Sequence, residues 1–218
     1  MLESSVLHGL SEIQHQSRTE SAFHAVDATH RSFHTDTKGF ATRFMANFKA
    51  DIESRAKAST VRFSLVSFST DVSDKISLGD DLASTIAQTN DIVYSGGWTN
   101  TQQAIARCDQ TLSSASFGSF RYILLFTDGT PTTWGAGATW RNCGSNICFT
   151  KASEAAEDAK RVGIQIITIA VRDSSTNLGF LFSLNSTNLG FAVESFAEAE
   201  NVTEAILDQI DIPCPPTS

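Results

Sequence analysis

With 218 residues, 41% of them apolar and 18% charged, the chain is long and apolar enough for one α/β domain with a full core. No apolar run approaches about 18 residues, which excludes a membrane-spanning helix. The net charge of −8 argues against nucleic acid, which needs a basic face, and fits plain solubility.

Residues 1–20 read as a polar lead-in, with one or two helical turns around Val6 to Ile13. The opening Met-Leu-Glu-Ser-Ser has neither a basic n-region nor an apolar h-region. No signal peptide is therefore expected in this sequence, leaving a non-secreted protein or a chain already processed. Ser21-Ala-Phe-His-Ala-Val-Asp27 is an apolar run too short for a helix and suits a buried strand ending in an acid. From Thr35 to Arg55, Phe40, Phe44, Phe48 and Ile52 recur at four-residue steps, one face of an amphipathic helix that Asp36 can cap. Val61–Phe68 is a second strand, Asp71–Gly79 an edge strand, and Asp80–Thr89 a short helix. Gly96-Gly97 breaks the chain before a helix over Thr101–Leu112, and Phe120–Phe126 is a buried strand.

The loop from Thr130 to Phe149 carries two tryptophans and two cysteines. Thr150 can cap a helix running to about Val162, which Gly163 ends. Gln165–Val171 is another buried strand. Ser175-Thr-Asn-Leu-Gly-Phe180 recurs as Ser186–Phe191, too short and isolated for a solenoid. The first copy opens a short helix and the second leads into a strand over Gly190–Phe196. A last helix spans about Ala197 to Ile210, stopped by the Pro-rich tail. Strands alternating with helices call for right-handed crossovers and a doubly wound, mostly parallel six-stranded sheet with helices on both faces. No linker divides the chain, so the expected organisation is a lead-in over 1–20, one domain over 21–212 and a tail over 213–218.

The cysteines are Cys108, Cys143, Cys148 and Cys214, which allow three connectivities. Cys143 and Cys148 could close a small loop, leaving Cys108 with Cys214. A zinc site is the competing reading, but the spacing is not a CxxC pair and no histidine follows nearby. Sequons stand at Asn185-Ser-Thr187 and Asn201-Val-Thr203. Together with paired cysteines they point to an extracellular or cell-surface setting.

Three stretches place oxygen donors where an open α/β sheet binds ligands, at the carboxyl ends of strands. They are Asp27-Ala-Thr29 with His30 and Arg31, Gly97-Trp-Thr-Asn-Thr101, and Leu125-Phe-Thr-Asp-Gly129. Such a set suits a hard divalent cation. His30 and His34 lie four apart but find no clear third ligand beyond Asp36 or Asp27. There is no Gly-x-Ser-x-Gly elbow and no P-loop lysine motif, and Gly135-Ala-Gly137 lacks the third glycine of a dinucleotide loop. A hydrolase or enzyme accessory domain therefore has no motif in its favour.

On these residues the chain resembles the von Willebrand factor type A domain. That family's metal-ion-dependent adhesion site opens with Asp-x-Ser-x-Ser, which falls here on Asp27, Thr29 and Arg31. Its threonine, within Gly-Gly-x-Thr-x-Thr, falls on Thr99, and its aspartate, within an apolar-Thr-Asp-Gly strand end, on Asp128. The resemblance implies a non-enzymatic interaction or adhesion module holding a divalent cation, Mg or Ca, through Asp27, Thr29, Thr99 and Asp128. Its partner would be another protein or further copies of itself. Threonine replaces serine at position 29 conservatively; arginine at position 31 does not. A guanidinium about 5 Å from a divalent ion repels it by several kcal/mol at an effective dielectric near 20. Arg31 either swings to solvent and leaves a weakened site, or lies between Asp27 and Asp128 in the cation's place, the reading we favour. The expected binding uses the carboxyl edge of the sheet, with or without a cation; the alternative is a structural subunit of a larger assembly in which the domain is a scaffold with a dead metal site. Trp98, Trp134 and Trp140 are expected near the same sheet edge, either as a partner-binding face or as plugs for the long loop.

Overall fold

A computed structural model describes residues 19–27, 31–55, 60–79, 81–92, 97–114, 120–127, 129–136, 141–143, 146–172, 176–194 and 198–210, with only the backbone for 19–27, 31–38, 52, 55, 60, 74–75, 141–142 and 199–201. The elements in chain order begin with β1 (Thr19–Asp27), α1 (Arg31–Arg55), β2 (Thr60–Phe68), β3 (Val72–Gly79), α2 (Leu82–Asn90), α3 (Thr101–Leu112) and β4 (Arg121–Thr127). They continue with β5 (Thr133–Trp134), β6 (Arg141–Asn142), α4 (Ile147–Arg161), β7 (Ile164–Val171), α5 (Leu178–Leu184), β8 (Gly190–Val193) and α6 (Ala199–Gln209). Six strands form one sheet in the order β3-β2-β1-β4-β7-β8, and only β3 runs antiparallel to its neighbour. This is the expected doubly wound arrangement.

The central strands are buried on both faces, which is why they read as continuous apolar runs. Along β4, Tyr122, Leu124 and Phe126 face one core, while Ile123 and Leu125 face the other. The first core is closed by α1 and α6. Phe40, Phe44 and Phe48 of α1 are fully buried and form a ladder with ring centroids 6.0 and 5.8 Å apart. Phe40 meets Phe126 edge-on at 4.9 Å. The four-residue phenylalanine spacing is thus a core stripe; the side chain of Ile52, its fourth expected member, is outside the described set. The second core is closed by α3, α4 and α5, with Ala152, Ala155, Ala156 and Ala159 as the α4 contribution.

Several expected boundaries move. α1 starts at Arg31, so Asp36 lies inside the helix and does not cap it. α4 starts at Ile147 after Asn146, so Thr150 is a first-turn residue, and its hydroxyl donates back to Asn146 O at 3.3 Å. Serine and threonine hydroxyls inside helices often bond backward in this way, which makes them ambiguous cap signals. β8 ends at Val193, short of Phe196. The stretch expected as one long loop after β4 contains a two-stranded ribbon, β5 with β6. Gly163 does end α4, at φ +82°, a left-handed position that glycine fills without a Cβ penalty.

Candidate functional site at the carboxyl edge of the sheet

β1 is the strand from which the chain departs in both directions, with β2 on one side and β4 on the other. Ligand crevices in open α/β sheets form at such switch points. Asp27 is the last residue of β1, and Thr127 is the last of β4. The two strands are parallel neighbours, with Val26 opposite Phe126, so their ends lie side by side. Gly129 N donates to the Thr127 hydroxyl at 3.1 Å at the end of β4.

The segment 97–103 packs across this edge, and Asn100 organises it. Asn100 is fully buried and has three tasks. Its Oδ1 accepts from Gln103 N at 3.2 Å, capping α3. Its Nδ2 donates to Thr70 O at 2.9 Å and to Gly135 O at 2.7 Å, joining the β2–β3 turn to the segment after β5. Its backbone N–H donates to Ser69 O at 3.0 Å. One buried amide therefore fixes three segments distant in sequence. Nothing in the sequence singled out Asn100; the one available signal was an Asn just before a helical pattern, which reads as a cap alone.

Thr99 is 6% exposed and is held by its backbone. Its N–H donates to Thr132 Oγ1 at 2.8 Å, and its carbonyl accepts from Thr132 N at 3.0 Å and Thr133 N at 3.3 Å. These bonds leave its hydroxyl out of the loop's own scaffolding. Thr101 Oγ1, two residues on, is buried and has no hydrogen-bond partner among the described residues. Hydroxyl oxygens of this kind fit a hard cation's donor set. The remaining expected donors, Thr29 and Asp128, are outside the described residues, as are the side chains of Asp27 and Arg31. Arg31 is the first residue of α1. Among the described residues no group of three or more His, Cys, Asp or Glu is placed to hold a metal ion.

Of the tryptophans, Trp98 is 42% exposed beside buried Thr99. Its N–H donates to Thr70 Oγ1 at 3.0 Å. Gly97, just before it, has φ +99°, and a Cβ there would come within 2.5 Å of Thr70 Oγ1. Trp134, on β5, is half-buried, with the Lys151 ammonium 5.8 Å from its ring centroid. Trp140 is outside the described residues. Cys143 and Cys148 form a disulfide with Cα atoms 5.7 Å apart. Cys108 is buried on α3, and Cys214, its expected mate, is outside the described residues. The Asn185 amide follows α5 and is half-buried. In the orientation that satisfies both ends, it accepts from Gly190 N at 2.7 Å and donates to Phe182 O at 2.5 Å. A glycan on Asn185 would have to displace those bonds. Asn201 lies in α6, and its side chain is outside the described set.

A model of the von Willebrand factor type A domain matches residues 26–205. The chain belongs to this family. Solved structures agree on the fold. Proximal thread matrix protein 1 from the mussel byssus superposes with a TM-score of 0.69 at 16% identity, over 88% of this chain and 48% of that one. The same mussel protein has also been solved with a zinc-occupied MIDAS motif. The pilus adhesin SpaC from Lactobacillus rhamnosus GG gives 0.67 at 14% identity, over 89% and 30%. The vWF domain of the type V pili tip protein Mfa5 from Porphyromonas gingivalis gives 0.65 at 14%, over 90% and 97%. The chain thus spans about half the length of the mussel protein and under a third of SpaC, but nearly all of the Mfa5 domain. No curated protein sequence matches it. Among the described residues no helix is long and apolar enough to cross a membrane.

Proposed function

We propose that this von Willebrand A domain is a non-enzymatic protein-interaction or adhesion module that captures a protein partner, or another copy of itself, with the loops at the carboxyl edge of its sheet. The observation that carries this reading is the Asn100-centred clamp, which sets an exposed Trp98 directly beside the buried Thr99. Exposed tryptophans on fixed backbone are favoured anchors at protein interfaces. Membership of a family whose solved relatives include pilus and thread-matrix proteins adds to it. The Cys143–Cys148 bond favours an extracellular or surface location.

A divalent cation, Mg or Ca, would be held by Asp27, Thr29, Thr99 and Asp128. It would supply a Lewis-acidic position for an oxygen of the partner. The second reading, a structural subunit whose metal site is dead, draws on Arg31 as the first residue of α1. In that reading the guanidinium would take the cation's place between Asp27 and Asp128, and any binding would rest on the tryptophan face alone.

The test is capture by the immobilised domain, comparing Trp98→Ala, Trp134→Ala and Trp140→Ala at equal folded yield, with and without EDTA. Each substitution is expected to reduce capture. Capture unchanged in all three sinks the reading. Capture lost in EDTA selects the cation, and capture indifferent to EDTA selects Arg31.

A further inference from the structure

The disulfide joins Cys143, the residue after β6, to Cys148, the second residue of α4. Cys143 N donates to Thr132 O at 2.9 Å, and Thr132 in turn holds Thr99 through its hydroxyl and its N–H. A short chain of bonds thus runs from the sulfur pair to the loop carrying Thr99 and Trp98. The β5–β6 ribbon it crosses has only two residue pairs, and a two-stranded ribbon of that length has little stability of its own. A covalent tie at its end is what restricts it, because closing a small loop removes disordered alternatives.

The two sulfurs differ in setting. Cys143 is half-buried, while Cys148 is 1% exposed. Cys148 sits in the first turn of a 15-residue helix whose N-cap, Asn146, makes no side-chain cap bond. That turn contains no acidic residue. A thiolate released at Cys148 meets the positive end of the helix and its first-turn N–H groups, which favour an anion. Attack from solvent at Cys143 therefore expels the better-stabilised thiolate, and such exchange is faster.

We propose that Cys143–Cys148 is a redox latch on the binding loop: reduction loosens the hold on Thr99 and Trp98 while the sheet remains folded. The functional meaning of the latch rests on the reading of this edge as the binding surface. The reductant is a dithiol. One of its thiolates attacks Cys143 Sγ, and the electron pair of the broken S–S bond leaves on Cys148. Its second thiolate then attacks the mixed disulfide, closes the reagent's own disulfide and releases Cys143. Two electrons pass to the protein, and each released thiolate is free to take up one of the two protons the dithiol has lost.

The test is amide hydrogen exchange on the unmutated protein without any partner, before and after dithiothreitol, with reduction verified by alkylation and mass. Exchange at the Thr99, Thr132 and Cys143 amides is expected to rise about tenfold or more, as for a locally opened segment, with Leu124 and Ile167 in the sheet unchanged. Unchanged exchange at Thr99 in fully reduced protein overturns the proposal. So does a rise throughout the sheet, which would make the bond a staple of the whole fold. As a second measurement, Cys148→Ser should form a mixed disulfide with oxidised glutathione at Cys143, and Cys143→Ser should not form one at Cys148; the opposite order overturns the assigned direction of attack. Exchange is read without a partner, so its failure leaves the interaction reading standing. Failure of the tryptophan variants to alter capture leaves the latch standing.

Discussion

The two faces of the sheet are filled by opposite means. On one, α1 lays Phe40, Phe44 and Phe48 against Phe63, Tyr122 and Phe126, a core of interlocking rings. On the other, α4 presents Ala152, Ala155, Ala156 and Ala159, small residues that let a helix backbone come close. The ring-filled side concentrates its buried area in a few side chains, so its stability is concentrated too. The alanine side relies on fit, and it is the side whose helices α3 and α4 both contact β5. The proposed binding edge is therefore tied, through β5, to the face that α4 fills with small side chains.

Substitutions on each face should break this contrast in opposite directions. The largest effect is expected from Phe44→Ala, which removes a fully buried ring from the middle of the ladder. It should cost about 3–5 kcal/mol in a denaturant midpoint experiment. Ala156→Leu on the other face should cost less, about 1–3 kcal/mol, by overpacking. Unlike Phe44→Ala, it should also raise amide exchange at Thr99, since α4 is displaced. Asn100→Ala should cost about 1–2 kcal/mol, because the Thr70 and Gly135 carbonyls lose their donor. Partner capture should fall with it even at temperatures where the domain is fully folded. Equal loss of capture in Phe44→Ala and Asn100→Ala under such conditions would erase the distinction between core and clamp.

The strands and most helices were legible because their periodicity carries their burial: the phenylalanine steps of α1 and the apolar runs of β4 and β7 have a single good solution. Helix starts were less so, since Asp36 and Thr150 look like caps yet lie one turn inside. The β5–β6 ribbon was invisible, its strands being two residues each. The repeated hexapeptide shows the limit most directly. Asn177 caps α5, its side chain accepting from Phe180 N at 3.0 Å, whereas Asn188 adopts φ +62° ahead of β8. Identical local sequence takes two conformations because its surroundings differ, one copy leading into a helix and the other into a strand on β7. At the carboxyl edge, motif order singles out Asp27, Thr99 and Asp128 as expectations, and of these only Thr99 has its side chain among the described residues. Asn100 could not be read that way, because its partners Thr70 and Gly135 lie 30 and 35 residues away. The near pair Cys143 and Cys148 was readable from spacing, but its link through Thr132 to Thr99 exists only in three dimensions.

The glycine before Trp98 carries a consequence for affinity. Gly97 at φ +99° lets the chain turn against Thr70, and the Trp98 N–H is bonded to the same threonine. The backbone under the indole is thus fixed before any encounter. A loop that must be ordered on binding spends part of its contact energy on that ordering, whereas a preorganised one does not. The indole ring itself has only two side-chain torsions to freeze. If Trp98 is the anchor proposed above, a small contact centred on it would hold a partner more tightly than its area implies, chiefly through slow dissociation.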